Sequence, residues 1–360
     1  MEFIIHNSLN PKVESAWKDL EENNNLITPF QKLEWIKDYI QFTNEYTSGK
    51  KKTIFLIVKK NTENILIFPL NIKLNFLKKL EYIGEPFNDI NIPIINKNYI
   101  FEDDEISFIK KKLIKIFHNK IDCINFNNQP NYLPNNQINF FVLGKIYQNS
   151  VNYKINVNEQ YLQNIKNYKF WKDVSRRNKK YLQQDNVTYK LLETLDEKEK
   201  AFKFFTKFKH DQMERTNKKN YLLSDWKKKF LKNFFFENKI YALLSSENKI
   251  IACACCVLDN KILYYLFPAY DNLFNKCAPG QQLINYIVSN NDIHFKIFDF
   301  TNGDEKYKKY WSNNRKIYSD TIISFNFKGL IFELLMRLKC MINKNFFYNN
   351  FLLKILKKFR

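Results

Sequence analysis

The chain has 360 residues, 45% of them hydrophobic and 17% aromatic, which suffices for about two domains with their own cores and excludes a disordered protein. Its formal net charge is +21, but only six of the 58 basic residues are arginines. Arginine is favoured for bidentate contacts with phosphates and bases, and lysine is frequent throughout the chain. The charge therefore does not by itself indicate DNA binding.

The N-terminal residues MEFIIHNSLN lack the basic and apolar regions of a signal peptide, and no run reaches the ~18 apolar residues of a membrane span. We therefore expect a cytoplasmic protein. Its six cysteines fit a reducing compartment as free thiols. Cys253, Cys255 and Cys256 lie in an apolar run without histidines at ligand spacing, so they predict a buried strand and no metal site.

The first half of the chain alternates helical and extended patterns. Thr28 is a predicted N-cap with Pro29 in the first turn, and a polar turn between two apolar runs predicts a hairpin. Acidic residues open a later helix, as the helix dipole prefers. Helices are predicted at 15–24, 28–46 and 103–119, and strands at 52–61, 64–74, 80–96, 121–128 and 136–145.

The second half begins near Val151 and repeats a similar order. A strongly basic helix comes first, and Asp196 is the predicted cap of a later one. Three consecutive strands with turn-rich joints then precede a helix and a further strand. Helices are predicted at 159–186, 196–218, 223–238 and within 275–291, and strands at 187–194, within 239–271, from 296 and at 319–327.

The stretch APGQQL, residues 278–283, changes at once from a Pro-Gly turn into an apolar-periodic helix. The first N–H groups of a helix have no partner in the helix, and the dipole places roughly half a positive charge there. Because Gly280 has no Cβ, a phosphate could approach the backbone closely. A plain turn without a ligand explains the same residues, and both interpretations stay open.

This order resembles the acyl-CoA-dependent acetyltransferases of the GNAT superfamily, and more narrowly the CelD/BcsL-type acetyltransferase family, which is related to the peptidoglycan-bridge Fem ligases. The resemblance extends over about residues 26–318. Ala278 stands where that family usually has serine. The residues that carry the resemblance are Gly303-Asp304-Glu305, Tyr307-Lys308, Trp311, Pro279-Gly280 with Leu283, RRNKKYLQ at 176–183, His210, TPFQKLEWIKDY and LEYIGEPFND.

The resemblance implies an α/β (α+β) chain with two tandem GNAT-like domains, each with a mixed central sheet flanked by helices. Residues 1–150 are expected to form an N-terminal, degenerate GNAT-like domain, and residues 151–327 the domain that binds acyl-CoA. Residues 328–360 form a basic tail in which Leu330, Ile331, Leu334, Leu335 and Leu338 recur at helical spacing. That tail predicts contact with an anionic membrane surface or, alternatively, a helix docked on the protein body.

The implied activity is acyl transfer from acyl-CoA, with acetyl-CoA favoured and no metal, to an amine of a sugar, cell-envelope or polysaccharide precursor. The thioester would lie beside the strand KILYYLFPAY, whose free N–H groups would polarise its carbonyl. The diphosphate would bind at Pro279 and at the N–H groups of Gly280, Gln281 and Gln282. The alternatives are a Fem-like ligase with an aminoacyl-tRNA donor and an inactive, membrane-peripheral binding protein.

The implied site residues each have a structural alternative. A base is needed for the amine, and Asp304, Glu305, His210 and Asp299 are candidates; an acidic turn, a packed histidine or a hydrogen-bond anchor would explain them equally. Tyr307 and Lys308 would meet the acceptor or the leaving thiolate, or else pack with Trp311. Arg176 and Arg177 would bind an anionic acceptor, an acyl-carrier protein or tRNA, or else form a solvated basic helix face. Further candidates for binding the acceptor are Asp89, which could instead cap a turn, Asp299, Lys308 and Trp311.

Overall fold

The computed structural model describes residues 1–22, 24–46, 50–133, 138–139, 141–182, 186–216, 220–290 and 294–342. The chain divides into two compact units. The first unit contains residues 1–151 and the chain from residue 316 onwards, and the second unit contains residues 152–315. The boundaries expected from the sequence were 150/151 and 327/328, so the chain returns to the first unit earlier than the expected end of the second domain.

The first unit begins with alternating strands and helices. Helix α1 starts at Pro11 because the Asn10 side chain caps the backbone N–H groups of Lys12 and Val13. The elements are β1 (Glu2–His6), α1 (Pro11–Glu21), α2 (Leu33–Tyr46), β2 (Lys51–Lys60), β3 (Glu63–Leu74), β4 (Lys78–Tyr82), β5 (Ile94–Ile95), α3 (Asp103–Phe117) and β6 (Cys123–Pro130). A 3-10 turn, Pro29–Gln31, precedes α2 and has the Thr28 capping box.

The second unit begins within β7 (Lys145–Asn156). Thr194, not Asp196, caps its longest helix, with Glu197 completing a capping box. The elements are α4 (Glu159–Ile165), α5 (Lys169–Arg177), β8 (Thr188–Leu192), α6 (Leu195–Arg215), α7 (Asp225–Glu237), β9 (Lys239–Leu244), β10 (Ile250–Asp259), β11 (Ile262–Tyr270), α8 (Pro279–Asn290), β12 (Ile297–Asn302) and α9 (Lys306–Trp311). Strand β13 (Asn314–Ser324) and helix α10 (Phe327–Ile342) then complete the first unit.

Among the described strands, each unit has a mixed sheet with one parallel pair. In the first unit the order is β1-β2-β3-β4-β6-β13, with β5 beside β3, and the parallel pair is β4 and β6. In the second unit the order is β7-β12-β11-β10-β9-β8, and the parallel pair is β11 and β12. A helix joins each parallel pair, α3 in the first unit and α8 in the second, as a parallel connection requires.

Apolar side chains fill the space between sheet and helices in both units. In the first unit, Trp17 of α1 packs edge-on against Phe55 of β2, with ring centroids 5.9 Å apart. In the second unit, Phe205 of α6 and Phe235 of α7 lie 4.8 Å apart, and both contact Phe267 of β11. These contacts fix α6 and α7 against β11, the strand beside the predicted donor site.

The mixed α/β architecture predicted from the sequence is confirmed, but several segments differ. The predicted strand at 80–96 is extended only at its ends, in β4 and β5, and strands β1 and β7 were not predicted. Residues 159–186 form two helices interrupted at 166–168 rather than one, and a π-helical turn at Asn178–Leu182 follows the second.

The predicted strand at 136–145 is wrong where the chain is described, since only an isolated bridge joins Ile138 to Tyr132. The strand predicted from 296 ends at Asn302, and the short helix α9 follows it.

The helices that the structure describes include none that is both long enough and apolar enough to cross a bilayer.

Candidate functional site

The candidate site of the second unit lies where the parallel strands β11 and β12 part. Their pairing covers Ile262–Tyr264 and Ile297–Asp299 and ends there, although β11 continues to Tyr270. Leu266 is an extra residue in the pairing of β11 with β10, and such bulges bend a strand. On one side of the second half of β11, the backbone N–H and C=O groups therefore make no hydrogen bonds with β12.

Helix α8 begins close to the end of β11. Ala278 precedes it in the left-handed conformation, with φ of 52°. The nearest atom to a Cβ added at Gly280 would be Cδ1 of Tyr270, at 3.6 Å, which is an ordinary contact. The Gly280 side of the helix start is thus open apart from this one ring, so a ligand has room to reach the backbone there.

The N–H groups expected to hold the diphosphate are not equivalent. Those of Gln281 and Gln282 donate to the carbonyl of Ala278, over 2.9 and 3.1 Å. The buried side chain of Gln282 donates from Nε2 to the carbonyls of Val174 (2.7 Å) and Cys277 (3.3 Å), which joins α5 to the start of α8. The first turn therefore offers an anion the Gly280 N–H and the helix dipole, while Gln282 acts as an anchor.

Tyr307 lies among aromatic side chains of β11 and β12. Tyr307 of α9 packs edge-on against Phe300 of β12, with centroids 6.0 Å apart. Burial raises the pKa of Tyr307, and the neighbouring Glu305 carboxylate and Tyr270 phenol raise it further. Burial also raises the pKa of Tyr265, with the Tyr307 phenol contributing next. Tyr307 is therefore a protonated phenol at neutral pH, beside the second half of β11.

The loop before α9 is held by Lys308. Its Nζ donates to the carbonyl of Asn302 over 3.0 Å and pairs with Oε2 of Glu305 at 2.9 Å, and the residue is only 5% exposed. Gly303 has φ of 134°, and a Cβ there would lie 2.5 Å from Oε2 of Glu305 and 2.8 Å from Nζ of Lys308. Gly303 thus permits the clamp, and Lys308 and Glu305 fix the backbone that carries Tyr307.

Asp304 is exposed, and its Oδ1 accepts a hydrogen bond of 3.0 Å from the Tyr153 hydroxyl. Tyr153 lies on β7 and was not a candidate from the sequence, because that strand was not predicted. The carboxylate retains its second oxygen for water or for an acceptor amine. Asp304 and Tyr307 belong to the same short segment, the loop before α9 and the first turn of α9, so the chain itself keeps these two candidates near each other.

Asp299 is fully buried, and each of its two carboxylate oxygens has a partner. Its Oδ2 pairs with Nζ of Lys154 at 2.7 Å, and its Oδ1 accepts from Nδ2 of Asn152 (2.7 Å) and from the backbone N–H of Thr301 (2.8 Å). Thr301 has φ of 57°, which is unusual for a β-branched residue. Asp299 thus stabilises the bend at Thr301, where β12 separates from β11. This positioning role involves no contact with a substrate.

His210 lies on α6, where its Nε2 is 3.1 Å from Oε1 of Glu214 and its Nδ1 bonds the Asn220 side chain. The structure gives it no contact with Asp304 or Tyr307. Trp311 is 1% exposed, packs against Phe170 with centroids 5.3 Å apart, and its carbonyl accepts from the Tyr161 hydroxyl. Its position is that of a core residue that attaches α9 to α4 and α5.

The two arginines of α5 differ in their surroundings. Asp173 accepts from both, with Nη2 of Arg176 at 2.7 Å and Nε of Arg177 at 2.8 Å. Arg177 also reaches the carbonyl of Lys276, just before α8. Arg176 instead lines an open cavity of about 510 Å³ that has a basic rim. The other residues of this cavity are Trp171, Lys172, Ser175, Lys179 and Lys180.

Asp89 of the first unit is half-buried in the loop after β4. That loop is fixed by Asn88, which is 2% exposed: its Oδ1 accepts from Nε1 of Trp35 (2.8 Å), and its Nδ2 donates to the carbonyl of Ile83. Glu85 lies in the same loop, with Oε1 accepting from Nδ2 of Asn91 over 3.0 Å. Burial, reinforced by the charge of Glu81, raises the pKa of Glu85 to about 7.

This raised pKa predicts a pH dependence of stability. Because the folded state binds the Glu85 proton more tightly than the unfolded chain, the free energy of unfolding falls as pH rises from about 4.5 to about 7. Allowing for the partial exposure of the side chain, we expect a loss of about 2 kcal/mol. Glu85→Gln should remove the loss and be the more stable protein at pH 8, but not at pH 4. Urea denaturation at both values checks this, with the exposed Glu45→Gln as control.

The three cysteines of β10, Cys253, Cys255 and Cys256, are fully buried, as expected of residues that fill a strand. Among the described residues, no three His, Cys, Asp or Glu side chains are grouped so as to hold a metal ion.

Comparison with known proteins finds a family match within the second unit. Residues 169–309 match the family model described as acetyltransferase (GNAT) domain. The matched segment runs from α5 to α9 and so includes the parting strands, the start of α8 and Tyr307. No curated protein matches the sequence.

Several solved structures share the fold over most of the chain. The crystal structure of FemX is 12% identical and covers 93% of this chain and 100% of its own, with a TM-score of 0.56. L-PGS from Bacillus licheniformis is 9% identical over 87% of this chain and 97% of its own, with a TM-score of 0.51. A conserved protein of unknown function from Bacteroides thetaiotaomicron is 9% identical over 88% and 99%, also with a TM-score of 0.51.

Identities this low show a shared fold and nothing finer. The prediction of an α/β chain with mixed sheets flanked by helices is confirmed, residues 169–309 match a GNAT domain, and this match indicates that the chain is an acyltransferase. The narrower resemblance to the CelD/BcsL type stays a prediction.

Proposed function

We propose that the chain transfers an acyl group from acyl-CoA, most simply acetyl-CoA, to an amine of a sugar, cell-envelope or polysaccharide precursor. The observation that carries the proposal is the parting of β11 and β12, with Tyr307 packed on Phe300 of β12 and the start of α8 beside Tyr270 of β11. A thioester needs an extended slot with free backbone donors, and its diphosphate needs a positive helix end. The second unit offers both within one βαβ segment.

The donor would lie along the second half of β11. Its diphosphate would bind at the Gly280 N–H, where the dipole of α8 favours negative charge and only the Tyr270 ring limits the space. The free backbone N–H groups of β11 would stabilise the negative charge that develops on the carbonyl oxygen of the thioester. The basic rim of the α5 cavity, which includes Arg176, would attract the phosphates of the donor or of an anionic acceptor.

The reaction is a direct transfer. The acceptor nitrogen attacks the thioester carbonyl, a C–N bond forms and the C–S bond breaks. Asp304 takes the proton that the amine loses, directly or through one water, and Tyr307 gives its proton to the departing thiolate. The proton taken from the amine balances the one given to sulfur, so the products are an amide and free CoA.

Tyr307→Phe tests this assignment. We expect kcat to fall by ~10²-fold with little change in KM for acetyl-CoA, because the phenol acts on the leaving group. The matched control is Tyr310→Phe, one helical turn away and 55% exposed, which should keep full activity. Release of free CoA, followed with a panel of amino-sugar acceptors, is the readout. Equal rates for Tyr307→Phe and the wild type would contradict the role of this phenol.

The alternative donor is aminoacyl-tRNA. The observation that favours it is the group of basic residues on α5 and on the π-helical turn after it, Lys172, Arg176, Lys179 and Lys180. Binding of total tRNA that weakens steeply with salt, together with no affinity for acetyl-CoA, would replace the proposed donor by this one. Absence of affinity for both would favour the inactive binding protein.

A further inference from the structure

Helix α10 is firmly attached to the first unit along one face. Gly329 approaches the chain so closely that a Cβ there would lie 2.1 Å from the carbonyl oxygen of Asp122. Phe332 is 5% exposed and packs with Leu77 and Ile322. This face accounts for the docking of the helix, and it uses only some of the apolar residues that α10 carries.

The opposite face of α10 is apolar and exposed. Its large side chains recur at intervals of three and four residues, so they form one stripe along the helix. We call this set the α10 stripe; its members and exposed fractions are Phe327 (75%), Leu330 (47%), Leu334 (52%), Leu338 (45%) and Met341 (67%). Phe76, in the turn between β3 and β4, is a further exposed apolar residue near α10: it is 62% exposed, and Nζ of Lys328 lies 4.8 Å from its ring centroid.

Positively charged residues lie on both sides of the α10 stripe. Arg337 is at the helical position directly beside it, and Lys328 and Lys339 lie on the other side, beyond Ile331 and Leu335. The one acidic residue of α10, Glu333, is 8% exposed and is bound by Arg337 and by the Ser324 hydroxyl. The sequence that follows, 343–360, adds Lys344, Lys354, Lys357, Lys358 and Arg360 without any acidic residue.

We propose that the α10 stripe binds the surface of an anionic phospholipid membrane. An exposed apolar stripe flanked by cations is suited to insertion at a bilayer surface, where the apolar side chains enter the acyl boundary and the cations meet the lipid phosphates. A second copy of the chain fits less well, because a symmetric contact would bring the same basic flanks together. The inference is independent of the proposed acyl transfer.

Co-sedimentation of the full chain with vesicles tests the proposal. We expect the wild type to sediment with vesicles of phosphatidylcholine and phosphatidylglycerol, to bind pure phosphatidylcholine weakly, and to be released as salt is raised towards ~1 M. The double variant Leu334→Gln/Leu338→Gln should lower the partition coefficient at least tenfold, because it removes apolar area that would enter the bilayer. Both side chains are about half exposed, so the variant should fold normally. Ile100→Gln, at an 89% exposed position of the same unit, is the control and should bind like the wild type.

Two outcomes would overturn the proposal. In the first, the wild-type chain stays in solution with the anionic vesicles. It then sediments in the ultracentrifuge as a dimer, and the double variant disrupts that dimer. The other is a double variant that binds the anionic vesicles as tightly as the wild type.

Discussion

Gly280→Glu is expected to weaken the binding of acetyl-CoA at least a hundredfold. A carboxylate at the second residue of α8 would occupy the place where the helix dipole and the Gly280 N–H would meet the diphosphate, and it would repel that anion. The substitution should not harm the fold, because acidic residues stabilise the first turn of a helix. A loss of affinity without a loss of thermal stability is therefore the expected result, measured by titration calorimetry and by melting temperature.

Gly280→Ala is the matched control. Its Cβ would lie 3.6 Å from Cδ1 of Tyr270, an ordinary contact, and α8 begins with φ values that alanine accepts. We expect its affinity for acetyl-CoA to remain within a few-fold of the wild type. If Gly280→Glu bound acetyl-CoA as well as Gly280→Ala does, the diphosphate would have to bind elsewhere.

Asp299→Asn is expected to destabilise the second unit by ~3 kcal/mol or more, because it leaves Nζ of Lys154 buried without its carboxylate. The asparagine oxygen can still accept from Asn152 and from the Thr301 N–H, so most of the loss reports the ion pair. Lys154→Met should cost a similar amount for the converse reason. The double variant Lys154→Met/Asp299→Asn should recover much of the stability, since it buries no unpaired charge.

Urea denaturation of the four proteins gives this cycle directly. The control is Glu247→Gln, which breaks the exposed pair of Glu247 with Lys249 and should leave the free energy of unfolding unchanged within error. Additive losses in the two single variants would contradict a coupled buried pair. Because Asp299 holds the bend at Thr301, we also expect acetyl-CoA binding to weaken in Asp299→Asn.

Local patterns in the sequence predicted most of the sheet and helix order. The runs that became β2, β3, β9, β10 and β11 are long, apolar and bounded by polar turns, and such segments fold where their pattern indicates. Strand β7 was missed because its buried stretch contains Lys154, a charged residue that interrupts the apolar pattern expected of a buried strand. Its burial depends on Asp299, a residue 145 positions away, so no local rule could find it.

The interruption between α4 and α5 illustrates the same limit. The segment 159–186 contains no Pro or Gly, so its composition predicts one helix. The structure breaks it at 166–168, and Tyr161 and Trp171 then contact different partners, the carbonyl of Trp311 and the side chain of Asn285. Tertiary contacts outweigh helix propensity there, and propensities of a few tenths of a kcal/mol per residue allow that.

The sequence indicated which segments carry the candidate residues but not the directions of their side chains. The Pro-Gly start of α8 and the segment 303–311 stood out as motifs, and the structure places Gly280 and Tyr307 beside the same strand. The roles depend on which direction a side chain takes. Lys308, Trp311 and Gln282 point into the protein and act as anchors, whereas Asp304 remains exposed. No spacing rule distinguishes these outcomes, since they follow from the packing of α9 and α5 on their neighbours.

Amide hydrogen exchange of the wild-type chain with and without saturating acetyl-CoA tests the central claim most directly. If the donor lies along β11 with its diphosphate at the start of α8, the added protection should concentrate in residues 265–282. Protection confined to other segments, or none at all under saturating donor, would contradict the proposed site.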